Sequence, residues 1–280
     1  MFLREKNGRW SPEKILAFAV SIAPLIWLAW RTWTIDLGPR PATEALHFTG
    51  RWSVRLLLLS LMISPARRLF PVGKPMLARR TLGVAACCYA VFHFVLYIVQ
   101  ERYDFLKVAT EIVLRFYLTI GFVALIGLIA LGVTSTDAMI RKLGPRWNTL
   151  HRVVYAIGIL VILHFMLQKK LEIYEPVLMF GLMLWLFGYR LLHRYANAGW
   201  VSLIGLSIAS SLLTALFEAG WYAVKTGANA VMVLQANLEF EYDIRPMWWV
   251  LAAGLAVTFV SLVAQWWWPK PAPRLRSARA

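Results

Sequence analysis

The chain has 280 residues, 60% of them hydrophobic, a mean hydropathy of +0.60 and a formal net charge of +16. Soluble domains are nearer half apolar, so an ordinary soluble protein is excluded and the charge is to be read against a membrane, with no call for nucleic acid as a partner. Two adjacent cysteines and seventeen glycines without one G-x-G pair exclude a disulfide framework and the dinucleotide-binding fingerprint.

Eight apolar stretches follow in order: 15–33, 46–63, 81–100, 115–134, 151–168, 176–192, 201–223 and 247–267. Each is about long enough to cross a bilayer as a helix, and no strand-like alternation competes. The first is read as an uncleaved helix, because Pro24 follows the small-x-small "SIA" and the apolar run continues to Trp30. The second carries His47, Arg51 and Arg55 at i, i+4 and i+8, a polar stripe descending from one interface. In the third, Cys87 and Cys88 point about 100° apart and are read as small packing residues.

With the N-terminus placed in the cytoplasm, nineteen lysines and arginines fall in the inner connections and nine in the outer ones. That is the positive-inside pattern, with both termini cytoplasmic. The last two stretches contain no histidine. Trp248 and Trp249 open the eighth, and Trp266, Trp267 and Trp268 close it about 27 Å away, an aromatic belt at each face. This pair reads as an anchor or packing hairpin, with Glu218 interfacial at its outer end.

The histidines carry the chemistry. His193 sits at an inner boundary beside Arg194 and reads as interfacial. His93 lies thirteen residues beyond Arg80 at the inner end of the third stretch, and His164 thirteen residues beyond His151 at the inner end of the fifth. Thirteen residues rise about 19.5 Å, so His93 and His164 stand at matched depth in the outer half of the membrane. Ionisable or polar groups at such depth default to a functional reading, and two neutral imidazoles facing each other suit a b-type haem.

His151 is either an interfacial histidine or a ligand to a second, inner haem. The matching depth on the third stretch holds Arg79 and Arg80, which suit haem propionates better than iron. On an ideal helix thirteen residues leave His151 and His164 about 220° apart, so either a π-bulge re-aims one of them or a second site uses His151 differently. For His47, Arg51 and Arg55 three readings stand: snorkelling to headgroups, an anion or quinone headgroup site, or a clamp on the outer haem's propionates.

Several stretches carry a family likeness: "LHFTGRW" (46–52), "ARRTLGV" (78–84), "FHFVLY" (92–97), "RFYLTIG" (115–121) and "TSTDAMIRKLGPRWNTLHRVVY" (134–155), followed by His164. They resemble the MsrQ (YedZ) family, within the wider ferric-reductase-like transmembrane group. The resemblance covers roughly residues 10–195. It implies a six-helix cytochrome b-like core with His93, His151 and His164 as the haem ligands.

It further implies electrons passed from a cytoplasmic flavin reductase and FMN, or from membrane quinol, across the bacterial inner membrane. The acceptor would be a periplasmic molybdopterin-containing methionine sulfoxide reductase that repairs oxidised envelope proteins. Phe116 stands where the family would have proline, and residues 200–280 exceed the family's usual length.

The expectation is therefore an all-α integral membrane protein. It comprises a cytoplasmic segment (1–14), a haem-binding transmembrane domain (15–195), an additional C-terminal transmembrane hairpin (196–269) and a basic tail (270–280). One or two haems b are expected, with Arg79, Arg80 and Arg146 contacting propionate or flavin phosphate at the inner face. A transporter would call for midplane carboxylates, and none lies near the centre of the first six stretches. A haemless structural bundle would use its histidines only as interhelical hydrogen bonds.

Overall fold

The computed structural model describes residues 11–70, 76–196, 199–240 and 243–267. The expectations for the basic tail, for Trp268 and for most of the N-terminal segment lie outside the described residues. Twelve helices account for the regular structure among the described residues. Eight long segments were expected, and each proves helical. Four short helices occupy what had been read as connections.

The first helix, α1 (Pro12–Trp33), is started by Ser11, whose side chain accepts from the Lys14 amide, and by Pro12 in the first turn. The next, α2 (Pro41–Leu69), is followed by α3 (Met76–Gln100). A short amphipathic helix, α4 (Phe105–Leu114), is capped by Asp104 and leads into α5 (Phe116–Val133). Phe116 is thus the first residue of α5, a position at which proline and other residues are equally acceptable.

Two short helices, α6 (Asp137–Leu143) and α7 (Pro145–His151), precede α8 (Val154–Lys169). Then come α9 (Tyr174–Tyr195), α10 (Trp200–Thr226), α11 (Ala230–Ala236) and α12 (Pro246–Trp267).

Seven helical segments among the described residues are long and apolar enough to cross a membrane, α7 and α8 counting as one. The eighth, α2, is longer than any of them but less apolar, carrying six arginine, histidine and glutamate side chains. Packing explains why it tolerates them. On one side Leu56 and Leu57 pack with Ala17 of α1, Ala86 and Tyr89 of α3, Leu128 of α5 and Ile157 of α8. On the other, Val54, Leu58 and Leu61 pack with Met166 of α8, Val177 and Met183 of α9, and Leu203 of α10. A helix enclosed by protein presents little surface to lipid, and its polar groups find protein partners. Ser53 Oγ donates to the Ala86 carbonyl at 2.9 Å, and Arg190 Nη2 to the Leu61 carbonyl at 2.5 Å.

The last two long helices pack on each other and on α9. Ser207, Ser211, Thr214 and Glu218 lie along one buried face of α10. Such small residues permit close helix approach in a membrane. A side chain at Gly254 of α12 would collide with Ser207, and one at Gly181 of α9 with Thr214.

Two expectations are corrected. The segment holding His151 and His164 is not one continuous helix. The amides of Arg152, Val153 and Tyr155 each bond three residues back, a tight 3₁₀ stretch between α7 and α8. The irregularity between the two histidines is this 3₁₀ break, and no π-helical turn occurs among the described residues. Glu218 is not interfacial but 1% exposed.

Candidate functional site

The centre of the site is a pair of rings. His93 on α3 and His164 on α8 face each other with ring centroids 6.4 Å apart and planes crossed at 82°. Each Nδ1 lies 2.8 Å from a backbone carbonyl, that of Leu46 on α2 for His93 and that of Tyr117 on α5 for His164. A carbonyl only accepts, so each Nδ1 carries the proton and each Nε2 keeps its lone pair. Metal-ligating histidines are oriented by bonds of this kind.

The spacing fits a metal between the rings. Imidazole nitrogens sit about 2.0–2.1 Å from a first-row metal, which puts the centroids of two opposed rings about 6 Å apart. Among the described residues no three His, Cys, Asp or Glu side chains gather into a metal site. Two imidazoles alone suit an iron whose other ligands come from a macrocycle, so the residues present fit a haem.

The rings fit because glycines stand behind them. A Cβ at Gly50 would lie 2.9 Å from His93 Nδ1, and one at Gly121 would lie 2.6 Å from His164 Nδ1. Neither glycine was singled out from the sequence, nor were the carbonyls of Leu46 and Tyr117. A signal was present: each histidine follows its carbonyl partner by 47 residues, and "HF" recurs at 93–94 and 164–165.

Toward the α4 end of the bundle, the Tyr117 ring stacks on His164 at 6.4 Å. Glu111 of α4 accepts from Tyr97 Oη at 2.7 Å and from Arg115 Nη2 at 2.9 Å. This network ties α3, α4 and the start of α5 together above the rings.

The remaining expected residues fall into two groups. Arg51 and Arg55 are drawn toward α9, where both pair with the Glu175 carboxylate; the Arg51 contact is 3.8 Å. With Lys169 and Tyr222 they line a cavity of about 720 Å³. His47 lies one turn earlier and is half-buried. Arg55 also lines an apolar groove of about 400 Å³ between α2, α9 and α12, with Leu58, Met62, Leu186 and Val257 among its other walls. Glu175 is the partner that sequence reasoning missed, since nothing in the chain marks which carboxylate meets the stripe.

His151 is apart from the ring pair. It closes α7, stacks on Trp147 at 3.9 Å, and holds Nε2 3.3 Å from Ser135 Oγ. Its Nδ1 bonds the Trp147 carbonyl at 3.1 Å. Arg80 pairs with Asp137, the Arg79 carbonyl accepts from Ser60, and Arg146 is exposed on α7.

The profile described as "Ferric reductase like transmembrane component" matches residues 49–163, from within α2 to within α8. A protein-methionine-sulfoxide reductase heme-binding subunit MsrQ from Xanthomonas axonopodis pv. citri is 38% identical over 63% of this chain and 84% of its own length. The subunit of the same name from Agrobacterium fabrum is 39% identical over 65% of this chain and 86% of its own. That from Xanthomonas campestris pv. campestris is 37% identical, also over 65% and 86%. No solved structure matches the chain. With a multi-pass helical fold, a ring pair spaced for haem iron and this identity over most of the relatives' length, the chain belongs to the MsrQ family.

Proposed function

We propose that the chain is a haem b electron-transfer subunit that conducts electrons across the bacterial inner membrane to a periplasmic molybdopterin-dependent methionine sulfoxide reductase. The observation that carries this is the His93–His164 pair, oriented by backbone carbonyls and spaced for an axial metal. Haem supplies one-electron redox chemistry at that place. His93 and His164 would hold the haem through their imidazoles, whose tautomers the Leu46 and Tyr117 carbonyls fix among apolar helices. Residues 15–195 form the haem-binding domain, and 196–269 form an added hairpin. The termini are cytoplasmic on the charge asymmetry of the connections.

At the inner face His151 is proposed as a ligand to a second haem. Arg79, Arg80 and Arg146 supply positive charge for propionates or for the phosphate of FMN brought by a cytoplasmic flavin reductase. At the outer face His47, Arg51 and Arg55 are proposed to hold an anionic or quinone headgroup. A membrane quinol is the second reading for the donor. It is favoured by the apolar groove that opens beside Arg55 and suits a long hydrocarbon tail.

The test is the reduced-minus-oxidised visible spectrum of purified, haem-supplemented protein. The expected result is a b-type spectrum halved in His93→Ala and in His164→Ala through loss of one haem, and halved in His151→Ala through loss of the other. Wild-type protein without haem bands would refute the proposal. Reduction by a soluble quinol analogue that fails in Arg55→Ala would select quinol as donor; reduction by a flavin reductase unaffected by that change would select FMN.

A further inference from the structure

The surroundings of the two rings repeat each other at an offset of 71 residues: Leu46 with Tyr117, Gly50 with Gly121, His93 with His164. In both halves a carbonyl at position i accepts the Nδ1 proton, and a glycine at i+4 lies one turn further along the same helix face. The ring edge therefore rests against bare backbone. A Cβ at Gly50 would also stand 3.0 Å from His93 Cε1, and one at Gly121 2.7 Å from His164 Cε1. Contacts that short move the ring, and a moved ring gives up its 2.8 Å bond to the carbonyl.

Resting on the haem reading above, we infer that Gly50 and Gly121 are positioning residues that lock the two axial imidazoles in crossed planes. The ferric haem they hold then has a strongly anisotropic low-spin signature. The physical link is orbital symmetry. With planes crossed at 82°, each imidazole donates into a different dπ orbital of the iron, and the two orbitals stay close in energy. Near-degeneracy gives a ferric EPR spectrum dominated by one low-field feature. Parallel planes would split the orbitals and give a rhombic spectrum with three resolved features. Hydrogen bonding to the ligand's second nitrogen is also a lever on the haem's potential.

The experiment is EPR of the ferric, haem-loaded full chain, with a redox titration of the same samples. The signal to be followed is the one lost in His164→Ala. Gly127→Ala is the control, because its Cβ would meet Ile157 at 2.8 Å on the same helix but touches no histidine.

The expected outcome is an anisotropic signal in wild type and in Gly127→Ala. In Gly50→Ala and Gly121→Ala that signal becomes rhombic or gives way to a high-spin one, with a shifted midpoint potential. A rhombic wild-type signal overturns the crossed planes while leaving the haem reading intact. Equal changes in Gly127→Ala and Gly121→Ala overturn the positioning role. A wild type without haem overturns the functional reading and this inference together. The wild-type spectrum decides the plane angle even where a variant accumulates poorly.

Discussion

Glu218→Gln is expected to stabilise the protein. The Glu218 side chain lies on α10 at 1% exposure, with one carboxylate oxygen 3.7 Å from Arg245 and the other, Oε2, buried without a partner. Asn237 at the end of α11 is equally buried beside it, and its Oδ1 also lacks a partner. The Asn237 amide donates toward the Glu218 carboxylate, yet Oε2 and Asn237 Oδ1 each stay without a partner of their own. A glutamine replaces the unpartnered charged oxygen with a neutral amide and removes the cost of burying the charge. Relieving an unsatisfied buried group returns about 1–3 kcal/mol. The ion pair that is lost is a loose one to a partly exposed arginine, worth about 0–1 kcal/mol. The net gain is about 1–2 kcal/mol, which raises Tm by a few degrees at about 2–4 °C per kcal/mol. The assay is thermal unfolding in detergent micelles followed by tryptophan fluorescence, with Glu218→Ala as the contrasting variant. The alanine leaves the Asn237 amide without its acceptor and opens a void, so it should melt below wild type. A Glu218→Gln protein melting at or below wild type would falsify the reasoning, because Arg245 and the Asn237 amide would then hold the carboxylate by more than its burial costs.

Other outcomes follow from the same contacts. Glu175→Gln removes the carboxylate shared by Arg51 and Arg55 and should cost about 1–3 kcal/mol in the same melt; a double-mutant cycle with Arg51→Gln should recover part of that cost. Met166→Ala, at a site with 0% exposure two residues from His164, should cost about 2–5 kcal/mol and lower haem retention as well. Tyr117→Phe should leave haem content unchanged, because His164 is held by the Tyr117 backbone carbonyl and not by its hydroxyl. Loss of haem in Tyr117→Phe would show that the side chain carries the effect.

The long apolar stretches were legible because lipid demands them, and matched depth alone brought His93 and His164 together. Depth is a count along the chain, so a sequence carries it. What the sequence did not carry was azimuth. The count of 220° between His151 and His164 assumed one uniform helix, and three bonds of the 3₁₀ type at 152–155 rewind it. Glu218 was misplaced for a related reason. Its position near a helix end suggests the interface, but the connection between α10 and α12 folds α11 back over it, and no local pattern announces that cover. The groups that orient the rings were silent because they are backbone. A carbonyl has no side chain to recognise, and a glycine is recognised only once its neighbour is known.

The placement of α2 joins these features. Gly50 and Arg51 are consecutive, so they point about 100° apart on one helix. Gly50 meets His93 on the α3 side, while Arg51 and Arg55 meet Glu175 on the α9 side. This stretch of α2 therefore backs His93 and lines the charged cavity and the apolar groove. Anything seated against the arginines would bear on the turn that holds His93 without passing through solvent. The groove's far wall comes from α12, so the added hairpin contributes to this side of α2 and not to the ring pair itself. Removing the hairpin should accordingly open the groove while the His93–His164 geometry, built entirely from α2, α3, α5 and α8, persists.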